Sequence, residues 1–242
     1  MSEVVDDIEC TLSSDTLKAL QEFRQEEQER EASFKQLYDA AQNDFENQKV
    51  MDLFKEDWQL SQFWYDEETA DLLADALLDG ADSDTVIAIL SAPSVYAAIK
   101  KRPASSIPTA HIHLFEFDTR FEVLGGSTNF HFYDYNKPLS IPPQLKGKVH
   151  RFLIDPPFLN EECQSKFSTT TKALQHPDFT LKSKYGNRQH AIVSSTGERM
   201  AGVVSNLYPD IKVTDFRPAH AKGLSNEFRC YANFEWKGWK FE

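Results

Sequence analysis

Apolar and polar positions along this chain follow two periods, one helical and one of alternate residues, and the two take turns. In residues 66–78, Ala70, Leu73, Ala74 and Leu77 fall on one face of a helix, and Gly80 closes it. Residues 85–90 form a short apolar run, followed by the turn-forming Ser91-Ala92-Pro93-Ser94, which predicts a strand and a loop. A helix is expected over 94–102, ended by Pro103. Further strands are predicted over 111–118, 129–135, 149–154 and 190–195, with a helix around 161–174. Two closing strands are expected over 211–217 and 227–236. Residues 183–189, with Gly186 and Asn187, read as a surface loop. Strands separated by helical segments build a doubly wound, mostly parallel α/β sheet.

Upstream of this alternation the pattern changes. No Gly or Pro interrupts residues 11–79. Leu17, Leu20 and Phe23, then Phe34, Leu37, Tyr38, Ala41 and Phe45, recur at helical spacing among many charges. Residues 1–57 are therefore expected to be an acidic, mainly helical N-terminal extension, disordered over 1–10, and residues 58–242 the α/β domain. Charge divides in the same place. The first 57 residues hold 16 acidic and 6 basic side chains and the remainder 22 and 20, in a chain of net charge −12. The body is thus nearly neutral, whereas a protein that grips duplex nucleic acid presents a basic face to the phosphates. The densest basic run, Lys100-Lys101-Arg102, is short and suits the solvated end of a helix.

With 242 residues, 40% of them hydrophobic, the chain has material for one sizeable core and an appendage. No apolar run approaches the ~18 residues needed to span a bilayer, and the acidic start has no signal or transit pattern, so no membrane and a cytoplasmic location are expected. Cys10, Cys163 and Cys230 are an odd number with no metal-type spacing and read as reduced thiols. The seven histidines show no ligand spacing either; His111 and His113, on one strand face, are expected to be structural, and no metal site is expected.

Candidate chemistry collects at the predicted strand ends, where an open α/β sheet binds its ligands. Ser91-Ala92-Pro93-Ser94 follows the first strand, small residues that let a ligand approach the backbone next to a helix start. Asp118 ends the second strand and is suited to the hydroxyls of a ribose. Asp134 and Tyr135 end the third, suited to an adenine amino group and its ring. Asp155-Pro156-Pro157-Phe158 ends the fourth. Any one of these acids alone is more often a cap or turn residue; four in succession make an adenosyl site. The absence of a Gly-rich phosphate loop argues for an adenosyl cofactor without phosphates. An Asp-Pro-Pro-aromatic sequence after a strand suits amine methylation. The carboxylate accepts a hydrogen bond from the target nitrogen, the prolines stiffen the loop, and the Phe supplies a flat wall.

These stretches also occur in a known order. Residues 58–65 (Trp-Gln-Leu-Ser-Gln-Phe-Trp-Tyr), Ser91-Ala-Pro-Ser-Val-Tyr96, Phe115-Glu-Phe-Asp118, Phe132-Tyr-Asp-Tyr-Asn136, Asp155-Pro-Pro-Phe158 and 226–231 (Asn-Glu-Phe-Arg-Cys-Tyr) together resemble the eukaryotic lysine methyltransferases of translation elongation factor 1A, with the longer charged arm of the fungal branch. That group was once labelled N6-adenine methyltransferases. The resemblance implies a seven-stranded, Rossmann-like class I methyltransferase fold, S-adenosylmethionine as donor and a lysine of elongation factor 1A as acceptor. It also implies that Ser91, Ala92, Pro93 and Ser94 lie along the methionine part, Asp118 at the ribose and Asp134 with Tyr135 near the adenine. Asp155, Pro156, Pro157 and Phe158 would face the transferring methyl, and Trp58, Ser61, Gln62, Phe63 and Trp64 would cover the site. The first strand-loop departs from general class I methyltransferases, which carry an acid and glycines where this chain has Ala88 and Ser-Ala-Pro. The rival classes are a nucleic-acid adenine methyltransferase, disfavoured by the charge distribution, and a catalytically silent binding module, disfavoured by the intact Asp155. A monomer is expected. Because the acid is concentrated in the first 57 residues, deleting residues 1–50 is expected to weaken capture of a basic protein substrate at low salt. Affinities measured across a salt series would test this, and identical salt dependence with and without the segment would refute it.

Overall fold

A computed structural model of the chain describes residues 65–221 and 227–242. The expected extension over 1–57, the covering residues Trp58, Ser61, Gln62, Phe63 and Trp64, and Asn226 lie outside the described residues. The elements are α1 (Glu67–Leu78), β1 (Ile87–Leu90), α2 (Pro93–Lys100), β2 (Ile112–Glu116), α3 (Glu122–Asn129), β3 (Phe130–Phe132), β4 (Arg151–Ile154), α4 (Glu161–Leu174), β5 (Ala191–Gly197), α5 (Ala201–Leu207), β6 (Lys212–Val213) and β7 (Phe228–Ala232). One sheet takes seven strands in the order β3-β2-β1-β4-β5-β7-β6. β1 to β5 pair in parallel, and β7 runs antiparallel to both of its neighbours. This is the doubly wound, mostly parallel seven-stranded sheet expected from the pattern and implied by the resemblance. Among the described residues no helix is long and apolar enough to cross a membrane.

The central strands are continuous apolar runs because helices cover both faces. Every residue of β1 and of β4 is buried, Arg151 included. On one face Leu90, Phe152, Ile154 and Ile192 pack with Phe167 and Leu174 of α4 and Val204 of α5. Alternation turns Arg151 and Leu153 of β4 to the opposite face, where α1 and α2 pack on each other. Helix α1 begins at Asp66, whose Oδ1 accepts from Thr69 N at 2.8 Å, and Glu67 and Glu68 complement the dipole of its first turn. At its other end Arg151 Nη1 donates to the carbonyls of Leu77 (2.8 Å) and Asp79 (2.7 Å), two acceptors that a helix C-terminus leaves without backbone partners.

Two helices depart from the sequence-based expectation. α3 contains Gly125-Gly126, with Gly126 at φ 60°, so the helical pattern is broken where the chain turns back to β3. A Cβ at Gly125 would stand 2.8 Å from the backbone nitrogen of Phe130, which explains the glycine. α5 is seven residues without a capping side chain, too short to show periodicity. The sixth strand is shorter than the expected 211–217, because Thr214 bridges to Phe241 and Asp215 N bonds Lys240 O as the chain meets the C-terminal tail. His113 Nδ1 lies 3.1 Å from His131 Nε2, and burial first of all pushes both imidazoles down to about 4, leaving a neutral structural pair.

Replacing Arg151 by Met removes the desolvation cost of a buried guanidinium but strands two carbonyls at the end of α1. The second effect dominates, and a loss of about 2 kcal/mol is expected. Urea unfolding reads this as a lower midpoint, and an unchanged or higher midpoint would show that the clamp does not stabilise the fold.

Candidate active site

Chain order reverses between β1 and β4, and the crevice beyond their carboxyl ends is the position where such sheets bind ligands. A cavity of about 660 Å³ opens there. It gathers Ser91 and Pro93 from the end of β1, Glu116, Phe117 and Asp118 from β2, Tyr133, Asp134 and Tyr135 from β3, and Asp155, Pro156, Pro157 and Phe158 from β4. Arg199 after β5 and the pair His220 and Phe228 complete the wall. Four strand ends picked out in the sequence therefore meet in one space. Ala92 and Ser94 do not line it; they are buried behind Ser91 and Pro93 at the start of α2.

Each wall is held from below. Asp155 N donates to Leu90 O at 3.0 Å, which locks the end of β4 to β1. The chain then runs through the two prolines to Asn160, whose side chain accepts from Cys163 N at 2.8 Å and starts α4. Phe158 is left half exposed, its ring edge-on to Tyr135 at 5.7 Å. Tyr135 is held by Phe167, stacked at 6.5 Å, and by Lys166 Nζ, 5.2 Å from the ring centre. At the end of β1, Ser91 takes φ +58°, an uncommon conformation for a residue with a side chain, and turns the backbone sharply into α2.

The acids differ in how they are engaged. Asp118 is committed: Arg120 Nε lies 2.9 and 2.8 Å from its two oxygens, and Oδ1 also accepts from Arg120 N. Asp134 Oδ1 accepts from Asn136 N at 2.9 Å in a local turn. Glu116, the last residue of β2, accepts through Oε1 from the backbone nitrogens of Phe117 (2.9 Å) and Asp118 (3.3 Å), and its second oxygen has no partner among the described residues. Burial pushes the Glu116 carboxyl up to about 7 against those backbone bonds. Burial likewise pushes Asp155 up to about 8, with the Tyr65 hydroxyl working against the rise and the Glu116 charge adding to it. A neighbouring negative charge disfavours ionisation of a carboxyl, as Glu116 does for Asp155 and Asp118 does for Glu116. A cation entering the cavity favours ionised carboxylates there, so the site is chemically suited to positively charged ligands.

The sequence does not single out Arg199, His220 or Phe228 for the site, and Glu116 and Tyr65 enter it only as members of longer stretches. The sequence pattern carries the second strand to Asp118, two residues past Glu116, where the strand ends. Tyr65 closes the stretch 58–65 that the resemblance places over the site. Arg199 and His220 follow irregular segments and carry no periodic signal.

A family model described as "Probable N6-adenine methyltransferase" matches residues 56–236. Protein-lysine N-methyltransferase EFM5 of Saccharomyces cerevisiae is 59% identical over 234 residues, covering 96% of this chain and 94% of that one. EEF1A lysine methyltransferase 1 of Gallus gallus is 38% identical, covering 92% of this chain and 93% of its own. The Homo sapiens protein of the same name is 36% identical, covering 97% of both. Matched nearly end to end by these proteins, and carrying Asp155-Pro-Pro-Phe158 in the cavity at the switch point of its sheet, the chain belongs to the family of protein-lysine N-methyltransferases that the N6-adenine methyltransferase model describes.

Proposed function

We propose that this enzyme transfers a methyl group from S-adenosylmethionine to a lysine of translation elongation factor 1A. The observation that carries the proposal is the Asp155 carboxyl, half-buried in the lining of an aromatic-walled cavity, in a chain whose relatives are named for that substrate. The donor set suits the cofactor. The walls offer aromatic faces and the four carboxyls Glu116, Asp118, Asp134 and Asp155 against two arginines, Arg199 and the Asp118-bound Arg120, a balance that suits an adenosyl sulfonium rather than a polyphosphate. When bound, S-adenosylmethionine supplies an electrophilic methyl on positively charged sulfur. Ser91 and Pro93 would lie along its methionine part, with Ala92 and Ser94 shaping that turn from behind. Asp134 and Tyr135 would lie at the adenine. The ribose falls to the end of β2, where Glu116 has an open oxygen and Asp118 is held by Arg120.

The protein's remaining task is to present an amine with a free lone pair. Lysine enters as an ammonium with an ordinary pKa near 10.4. Desolvation between Phe158 and Tyr135 lowers that value, and Asp155 accepts a hydrogen bond from the nitrogen and aligns it for in-line attack. The raised Asp155 carboxyl is also a competent proton acceptor: an N–H bond of the ammonium breaks, an O–H bond forms, and the lone pair is released. The N–C bond would form as the methyl–sulfur bond breaks, its electron pair remaining on a neutral thioether, and the methylated lysine would depart as a methylammonium cation.

Asp155→Ala is expected to abolish methyl transfer while cofactor binding, followed by calorimetry, survives within a few-fold; full activity would end this assignment of roles. Glu116→Gln is expected to weaken cofactor binding about tenfold, the loss of one charge-assisted hydrogen bond, and more than Asp118→Asn; the reverse order would return the ribose to Asp118. Incubation with labelled S-adenosylmethionine and a cell lysate is expected to label elongation factor 1A. Label in nucleic acid instead would favour an adenine methyltransferase.

A further inference from the structure

On the α1 face of the sheet, Asp155 has neighbours that the proposed reaction has not yet used. β4 and β5 pair in the register Ile154 with Ser194, and the next step sets Asp155 beside Ser195. β5 and β7 pair Ser195 with Cys230. Leu90, Ile154, Ile192 and Tyr231 point to the α4 side, so alternation turns Asp155, Ser195 and Cys230 together toward α1. Tyr65, immediately before the α1 cap, covers this row. It is 4% exposed, and Asp155, Ser195 and Cys230 are the groups that act on its hydroxyl.

The tyrosine is fixed from several directions. It forms an antiparallel bridge with His220, Asp66 N donates to Ala219 O at 3.0 Å, and Ala219 N donates to Thr69 Oγ1 at 3.1 Å. Its ring lies 4.9 Å from the His220 ring, which meets Phe228 of β7 at 4.6 Å. Despite this order, Tyr65 Oη and Ser195 Oγ are both buried without a hydrogen bond of ordinary geometry among the described residues. Two fixed, buried hydroxyls whose neighbours are each other and Asp155 are placed to serve that acid, because burial without a partner is costly.

We propose that Tyr65 is a positioning residue for the methyl transfer: its hydroxyl, backed by Ser195, donates to the Asp155 carboxylate when the substrate amine arrives and turns the other carboxylate oxygen toward the nitrogen. Tyr65 does not line the cavity, so it acts through Asp155 and not on the substrate. The contact matters because Asp155 is otherwise kept protonated by its surroundings. Burial raises it, Glu116 at the end of β2 raises it further, and the Tyr65 hydroxyl is the neighbouring side chain that favours the ionised form. The remaining titratable groups on this face leave that division intact. Burial holds His220 below the usual imidazole range, hence neutral, and pushes the Cys230 thiol up to about 12. Burial first, with the Asp155 charge, raises Tyr65 well above its ordinary value, so it stays a donor throughout the working range. The ammonium proton moves to Asp155 as already described; no proton leaves Tyr65.

This inference rests on the role proposed for Asp155, and its test separates the two. The pH profile of kcat/KM of the full chain, with a lysine-bearing protein substrate and S-adenosylmethionine, is measured for wild type, Tyr65→Phe and Ser195→Ala. Deprotonation of Asp155 sets the acidic limb. Loss of the donor is expected to move that limb to higher pH by roughly half a unit or more in Tyr65→Phe and by less in Ser195→Ala. At neutral pH kcat should fall about tenfold in Tyr65→Phe, the effect of one hydrogen bond to a charged group, with the KM for S-adenosylmethionine within about twofold. A limb that superimposes on wild type in both variants overturns the inference. If Tyr65→Phe fails to fold, an unmoved limb in Ser195→Ala alone overturns it. Activity surviving in Asp155→Ala would instead sink the underlying role of Asp155, whatever the tyrosine does.

Discussion

The clamp between β4 and α1 sets the dimensions of the working end of this molecule. Arg151 stands at the start of β4 and holds the last carbonyls of α1, while Asp155 follows the end of the same strand. The helix therefore runs back along the strand, and its capped beginning at Asp66 arrives above the carboxyl end of β4. A strand rises about 3.3 Å per residue and a helix 1.5 Å, so the short strand and the much longer helix are held in step only by what joins them. That joint is a buried cation on helix-terminal carbonyls, which is directional where hydrophobic packing alone would permit sliding. Tyr65, one residue before the cap, is held at that end of the helix by the bridge to His220 and the bonds to Ala219 as well.

The same geometry explains the electrostatics. A parallel sheet sends the ends of β1, β2, β3 and β4 to one edge, and this chain ends β2 in Glu116 and follows β4 with Asp155. Both carboxyls are raised mainly by burial; the Glu116 charge adds to the rise at Asp155, and the Asp118 charge adds to the rise at Glu116. Near neutrality Asp155, and in part Glu116, therefore hold their protons. Two cations are what the proposed reaction brings, a sulfonium and an ammonium, and both favour ionised acids. Ligand charge and site ionisation are thus linked in sign, and the acids take up their working state as the ligands enter.

Much of this was legible in the sequence because the governing signals are local. Buried parallel strands read as apolar runs, the switch from period 2 to helical period marks the crossovers, and Asp155-Pro-Pro-Phe158 advertises itself at a strand end. What escaped depends on contacts distant in the chain. Glu116 is the acid at the end of β2 because the strand stops two residues before Asp118, and it stops where Asp118 turns to bind Arg120. Ala92 and Ser94 belong to a run that looks like a ligand loop, yet Ser91 in a left-handed conformation swings them into the core. α3 hid behind two glycines, one needed for the approach of Phe130 and the other for a kink. Tyr65 meets Asp155 across 90 residues of chain, a pairing that no spacing rule contains.

These misses share a physical origin, and it bears on how the family's acid works. Asp-Pro-Pro-aromatic specifies a stiff loop and a carboxyl, but it does not specify that carboxyl's protonation state. The state is set by burial, by Glu116 on one side and by the Tyr65 hydroxyl on the other, which come from two other parts of the chain. A solvated aspartate in the same loop would be ionised at neutral pH and would hold an ammonium as a salt bridge, with the lone pair locked away. A buried one with no donor beside it would stay protonated and could not accept the proton. Transfer from ammonium to acid is feasible only where the two affinities for the proton are brought close, and burial alone moves both groups in that direction: the acid upward, the amine downward. The donor at Tyr65 then limits how far the acid goes. On this argument the motif names the reacting groups, while the packing of α1 on β4 decides whether they react.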